Sequence, residues 1–122
     1  MNKILVEVSV GELLDKISIL EIKQDKIKDP EKLKFIKDEH SILNDQLNKN
    51  IKSDEKINNL FSSLKEINAK LWVIEDEKRQ CEKDQNFSDK FIKLSRDVHF
   101  LNDDRAKIKL KINNYTGAKI KE

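Results

Sequence analysis

The stretch from Ile57 to Cys81, INNLFSSLKEINAKLWVIEDEKRQC, decides the fold. Its apolar residues recur at steps of three and four, the spacing that aligns side chains along one face of an α-helix. The seam consists of Ile57, Leu60, Leu64, Ile67, Leu71, Ile74, Lys78 and Cys81. A second seam follows, made of Phe91, Leu94, Val98, Leu101, Arg105, Ile108, Ile112 and Tyr115. Two narrow seams joined by a short connection near Asn86 predict two long antiparallel helices packed together.

Capping residues divide the rest of the chain. Ser9 and Glu12 have the spacing of a capping box, and Asp29 before Pro30 is typical of a helix start. Ser53 and Asp54 precede the next helix in the same way. The sequence predicts an extended arm over 1–9, helices over 10–28, 30–50, 54–85 and 89–115, and a tail over 116–122.

The composition favours an all-α protein. Of 122 residues, 39% are charged, and only two Gly and one Pro are present, which fits long helices and excludes an all-β fold. We expect one domain, an antiparallel up-down helical bundle. At about 1.5 Å per residue the third helix reaches about 48 Å and the first about 28 Å, so the hairpin of the third and fourth helices should protrude. The alternative is that the first two helices are shifted and cover it.

Charge and cysteine usage exclude several classes of function. The net charge is +2 with acids and bases interleaved, which disfavours nucleic-acid binding. The single cysteine, Cys81, cannot form an internal disulfide, so we expect a reducing cytoplasm. No apolar run approaches the roughly 20 residues that span a bilayer. His and Cys residues lack metal-ligand spacing, and no metal or cofactor is predicted.

The hairpin has more apolar residues than two helices can bury, and this predicts an interface. Its candidate residues are Trp72, Ile74, Lys78, Cys81, Phe87, Phe91, Leu94 and Val98. The expected partner is a second copy related by a two-fold axis, which is the commonest closed arrangement. Another protein is a further candidate partner.

Arginine is rare, with three residues against 22 lysines. Arg79 is expected to pair with neighbouring glutamates on its own helix, and Arg96 with Glu77 across the hairpin. Arg105 lies on an apolar seam, so its guanidinium should face inward and need a carboxylate. Glu21 is the predicted partner.

Two interpretations of the Arg105 region stay open. In the first, Asn68 and His40 complete the hydrogen bonds of the Arg105–Glu21 pair; in the second, these four residues and Lys109 surround a ligand. One interpretation is a buried polar layer that fixes the register of the helices. The other is a site for a small anion or carboxylate, with Lys109 one turn from Arg105.

A family resemblance rests on three stretches taken together: Val8 to Lys23, Leu71 to Asp76, and Phe91 to Asn113 with its Asn102-Asp103-Asp104-Arg105-Ala106 core. The chain resembles a family of short bacterial and phage proteins catalogued as a domain of unknown function. The resemblance implies a stand-alone domain and transfers no role to any residue.

The leading functional hypothesis is a non-enzymatic module that self-associates through the hairpin. The alternative is a helical bundle that binds, or acts on, a small anionic metabolite through the buried Arg, Glu and His residues.

Overall fold

The computed structural model describes residues 3–117 and contains four helices. They are α1 (Val10–Lys26), α2 (Pro30–Asn50), α3 (Glu55–Lys83) and α4 (Asp89–Thr116). The observed bounds lie within two residues of the predicted ones. The all-α fold class is confirmed, and residues 3–117 contain no strand.

The helix ends follow from local hydrogen bonding. The side chains of Ser9, Asp29 and Asp54 each accept a backbone N–H from the first turn of the helix that follows. These bonds satisfy donors that have no partner inside the helix. Ser88 precedes α4 without such a side-chain bond. Gly117 ends α4 in the left-handed conformation, at φ 67°, which glycine adopts without steric cost.

The two long helices form a hairpin. At one end the ammonium of Lys78 lies 5.9 Å from the centre of the Phe91 ring. At the other end the phenol of Tyr115 donates a hydrogen bond to Asp54. These contacts pair the end of each helix with the start of the other, so α3 and α4 run in opposite directions.

The shortest helix occupies the centre of the fold. Within residues 3–117, α1 lies beside each of the other three helices, whereas the backbone of α2 lies beside α1 alone. The main apolar cluster consists of Leu14, Ile57, Leu64 and Ile112, and Leu47 of α2 packs on its edge. Because α1 is enclosed on several sides, its buried residues cover more than one stripe. They are Gly11, Leu14, Asp15, Ile17, Ser18, Leu20 and Ile22.

The hairpin extends past the region that α1 holds. Hydrogen bonds and ion pairs from α1 reach α3 at Lys65 and Asn68, and reach α4 within residues 105–113. The part of the hairpin next to its connection lies beyond these contacts. Since the backbone of α2 does not approach α3 or α4, the alternative in which the first two helices together cover the hairpin is not observed.

Within the predicted arm, residues 3–8 are irregular and exposed. Ile4 and Leu5 are 88% and 90% exposed, so the arm does not lie along the bundle. Most of the predicted tail, residues 118–122, lies outside the described residues, as does any pairing of the arm with it. No helix within 3–117 is both long and apolar enough to cross a bilayer.

Candidate functional site

A carboxylate lies in the core between α1, α3 and α4. Asp15, in the second turn of α1, is 1% exposed. Burying an ionised carboxylate is costly unless cations and hydrogen-bond donors compensate for the lost water. The surrounding residues of the other two helices provide this compensation.

Arg105 of α4 binds Asp15 with two nitrogens. Its Nε donates to Oδ1 at 2.9 Å, and its Nη2 donates to Oδ2. A forked pair of this kind fixes both the distance and the orientation of the two groups. Asn68 of α3 donates from Nδ2 to Asp15 Oδ1 at 2.8 Å. One carboxylate therefore connects three helices.

Ser18 extends the network along α1. Its hydroxyl donates to the backbone carbonyl of Asp15 at 2.7 Å and accepts from Asn68 Nδ2 at 2.8 Å. Ser18 is completely buried. Asn68 therefore donates to both side chains, which fixes the position of α3 against α1.

A second ion pair adjoins the first. Lys109, one turn along α4 from Arg105, donates from Nζ to Glu12 Oε2 at 2.5 Å and lies 3.6 Å from Asp15 Oδ2. The cluster thus holds two carboxylates, Asp15 and Glu12, and two cations, Arg105 and Lys109. It is electrically balanced without any bound ion.

The cluster shifts the pKa values of its central pair. Burial alone raises the pKa of the Asp15 carboxyl, but hydrogen bonds from Arg105 and Asn68 and the charges of Arg105 and Lys109 outweigh it. The pKa of Asp15 therefore lies below its ordinary value. The hydrogen bond to Asp15 raises the pKa of Arg105. Both groups are charged at neutral pH.

A close approach of α1 and α4 lies beside the ion pairs. The backbone N–H of Gly11 donates to Asn113 Oδ1 at 2.7 Å. A Cβ atom at position 11 would lie 2.7 Å from the backbone oxygen of Lys109, closer than side chains approach a carbonyl. Glycine at this position is therefore needed for the contact. The Nδ2 of Asn113 is buried and has no hydrogen-bond partner among residues 3–117.

The structure brings together three of the five residues predicted for a ligand site. Arg105, Lys109 and Asn68 meet at Asp15, whereas Glu21 and His40 lie apart from them. His40 Nε2 is 3.1 Å from Glu21 Oε2, and Lys65 Nζ donates to Glu21 Oε1 at 3.0 Å. Whether any of the five binds a ligand stays a prediction.

The predicted pairing of Arg105 with Glu21 is wrong because Asp15, nearly two turns earlier on α1, takes the guanidinium. The predicted pairing assumed that α1 has only one buried stripe. Because α1 is enclosed by three helices, a second stripe is also buried, made of Gly11, Asp15, Ser18 and Ile22. The sequence gives little signal for this second stripe, because only Ile22 among its four residues is strongly apolar.

Most of the residues predicted for the interface are buried or partly buried within the hairpin itself. Cys81 and Leu94 are buried, and Phe87 is 50% exposed. The partly buried ones are Trp72, Ile74, Lys78, Phe91 and Val98. The seam residues among them pack α3 against α4, so the more exposed apolar side chains of these helices lie outside the seam. The exposed apolar residues of the two helices that the prediction missed are Val73, Ile92, Phe100 and Leu110.

The two remaining arginines also differ from prediction. Arg79 lies 3.9 Å from Asp76, one turn earlier, and not beside a glutamate. The guanidinium of Arg96 lies 5.9 Å from the centre of the Phe100 ring, and no carboxylate within residues 3–117 is at ion-pair distance from it. Arg96 is therefore an exposed cation on an apolar surface.

The described residues offer few of the groupings that carry catalysis. Between residues 3 and 117, no cluster of three or more His, Cys, Asp or Glu side chains could hold a metal ion. Cys81 is a buried free thiol. The Asp15 cluster is the densest arrangement of charged groups, and its groups bind one another.

Comparison with known proteins places the chain without giving it an activity. A family model matches residues 4–122, and its description is a family of unknown function, DUF6165. No curated protein and no solved structure matches the chain. The match covers nearly the whole sequence, so the chain belongs to the DUF6165 family of unknown function.

Proposed function

We propose that this chain is a non-enzymatic module that self-associates through the α3–α4 hairpin. The observation that carries the proposal is the exposed apolar surface of the hairpin. Val73, Ile92 and Phe100 are 45%, 54% and 54% exposed, although they lie on well-formed helices. Exposed apolar side chains grouped on one element are typical of protein interfaces.

A groove adds to this surface. It has a volume of about 680 Å³ and is lined mainly by apolar atoms of Ala69, Val73, Ile74, Phe100 and Leu101. Glu66, Lys70 and Asp97 also line it. A mainly apolar surface that includes a few charged side chains is typical of protein–protein interfaces.

The Asp15 cluster supports a structural role for the buried charges. A site for an anionic metabolite needs cationic donors that are not already neutralised. Arg105 donates two bonds to Asp15, and Lys109 binds Glu12, so an incoming anion would have to displace a carboxylate. This argues for the module over the alternative of a metabolite-binding protein or enzyme.

The proposed partner is a second copy of the chain, and the same surface could recruit another protein. A reducing cytoplasm is the proposed location because Cys81 is a free thiol buried on the hairpin seam. In that compartment thiols stay reduced.

Sedimentation equilibrium of the full chain over a range of micromolar concentrations tests the proposal. We expect a dimer that dissociates when Val73→Glu and Phe100→Glu are combined, because each would place a charge in the apolar contact. The matched control combines Phe35→Glu and Ile42→Glu on α2, whose side chains are 66% and 63% exposed. A chain that is monomeric throughout, or a control that dissociates equally, contradicts the proposal.

A further inference from the structure

The outer face of α4 carries exposed apolar residues in a symmetric arrangement. Ile92, Phe100 and Leu110 are 54%, 54% and 44% exposed. Leu101 is midway between Ile92 and Leu110 in sequence, and Phe100 is adjacent to that midpoint. A two-fold axis at this level, perpendicular to the helix, would place Ile92 of one copy against Leu110 of another, with the two Phe100 side chains together along one edge of the contact.

The same face carries charges of opposite sign on the two sides of the midpoint. Arg96 is one turn before Phe100, and Asp103 and Asp104 are one turn after it. Arg96 and Asp103 lie close to the line through Ile92 and Leu110, since 3.6 residues make one turn. His99 is also exposed on this side.

From these positions we infer that a second copy of the chain packs on the outer face of α4, antiparallel to it, around Phe100. The inference rests on the proposed self-association and specifies its surface and orientation. It commits to a second copy as the occupant because one helix supplies both halves of the complementary pattern.

Charge decides the orientation. In the antiparallel arrangement each Arg96 lies opposite Ala106 of the other copy, with Asp103 and Asp104 two to three positions away and within reach of its long side chain. A parallel arrangement would place Arg96 against Arg96 and Asp103 against Asp103. Within its own chain Arg96 lies over the ring of Phe100, so it is already positioned at the centre of the contact.

One kind of like-charge contact opposes this arrangement, and the two-fold axis repeats it twice. Lys93 of each copy lies two positions from the level of Lys107 of the other copy. Lys93 Nζ is 2.8 Å from Asp97 Oδ2 on the same helix. This ion pair offsets the repulsion, and two Arg96 contacts with aspartates act in the opposite sense.

Charge reversal tests the pairing. In sedimentation experiments, Arg96→Glu alone and Asp103→Arg alone should each weaken the dimer by about tenfold, because each change acts twice across a two-fold axis. The chain that combines both changes should regain most of the affinity, since the pairs are restored with their signs exchanged. A combined variant as weak as either single variant overturns the antiparallel pairing.

Cross-linking tests the register directly. Chains carrying Ile92→Cys and chains carrying Leu110→Cys, one of them tagged so that the products differ in size, are mixed and treated with a short bis-maleimide. We expect the mixed species to cross-link, and neither chain to do so efficiently with itself. The unmodified chain is the control, because its one cysteine, Cys81, is buried.

The outcomes separate the two proposals. A dimer that cross-links through Ile92→Cys alone is parallel and overturns the inference. A dimer that gives no cross-link at either position also overturns it, while self-association through the hairpin stands if the Val73 and Phe100 changes still dissociate it. A chain that is monomeric at all concentrations overturns both.

Discussion

Arg105 binds Asp15 across 90 positions of sequence, and both carboxylate oxygens accept from the one guanidinium. Asp15 is enclosed, whereas the Arg105 side chain is 29% exposed, so most of the cost of burial falls on the acid. The pair positions α4 against α1, and Asn68 adds α3 to the same carboxylate.

Removing the guanidinium should therefore destabilise the protein strongly. We expect Arg105→Met to lower the free energy of unfolding by about 3 kcal/mol, because it leaves a buried carboxylate with only Lys109 and Asn68 as partners. Arg105→Lys should recover part of this loss without the forked geometry. Urea denaturation measures both.

The control for this prediction is the pair of substitutions Arg105→Met and Asp15→Leu in one chain. With the charge also removed, stability should return towards that of the parent. A single Arg105→Met variant as stable as the parent would show that the ion pair contributes little.

The stability of the fold should fall in acid through Asp15. Its pKa is lower in the folded chain than in the unfolded chain, because bonds from Arg105 and Asn68 outweigh the effect of burial. The contribution is complete above the ordinary carboxyl pKa and is lost as pH falls through the depressed value. Asp15→Asn should flatten the curve of unfolding free energy against pH in that range. Equal slopes for the two proteins contradict this.

Gly11→Ala should destabilise the fold by about 2 kcal/mol, since the new Cβ overlaps the backbone oxygen of Lys109, which cannot move without shifting α4. Alanine is the better helix former, by roughly 1 kcal/mol, and this gain is smaller than the steric cost. Thermal unfolding followed by circular dichroism measures the change.

Gly117→Ala is the matched control for this prediction. No atom of the described residues, 3–117, lies within 4 Å of the Cβ it would add, so we attribute its cost to the left-handed backbone. We expect a loss of about 1 kcal/mol, smaller than at position 11. The reverse order would mean that helix packing tolerates the extra carbon.

Tyr115 provides a spectroscopic test of the end of the hairpin where α3 begins and α4 ends. Its hydrogen bond to Asp54 raises the pKa of the phenol and lowers the pKa of the Asp54 carboxyl. Because Tyr115 is the only tyrosine, alkaline titration of phenolate absorbance reports on it alone. Asp54→Asn should move the midpoint to lower pH, towards the ordinary tyrosine value. An unchanged midpoint would mean that the hydrogen bond does not form in solution.

The sequence alone was sufficient to predict the helices. Steps of three and four on α3 and α4 and the caps at Ser9, Asp29 and Asp54 are local signals, and the structure follows them. It was also possible to predict that Arg105 needs a carboxylate, because a guanidinium on an apolar seam cannot stay unpaired.

The partner of Arg105 could not be chosen from one stripe per helix. The choice between Asp15 and Glu21 depends on which sides of α1 are enclosed, and this is a property of the tertiary arrangement. The exposed surface of the hairpin does not follow from the seams for a related reason. Seam residues such as Leu94 are buried between α3 and α4. The exposed apolar residues, such as Phe100, lie off the seam.

The long sequence separation within the Asp15 pair has a consequence for biosynthesis. Asp15 leaves the ribosome well before Arg105, which is translated 90 residues later. Until Arg105 is translated, the Asp15 carboxylate of α1 lacks its guanidinium partner, so α1 cannot pack stably in the core. Native assembly therefore waits for the last helix, and a nascent chain interrupted before Arg105 should remain a substrate for chaperones and proteases.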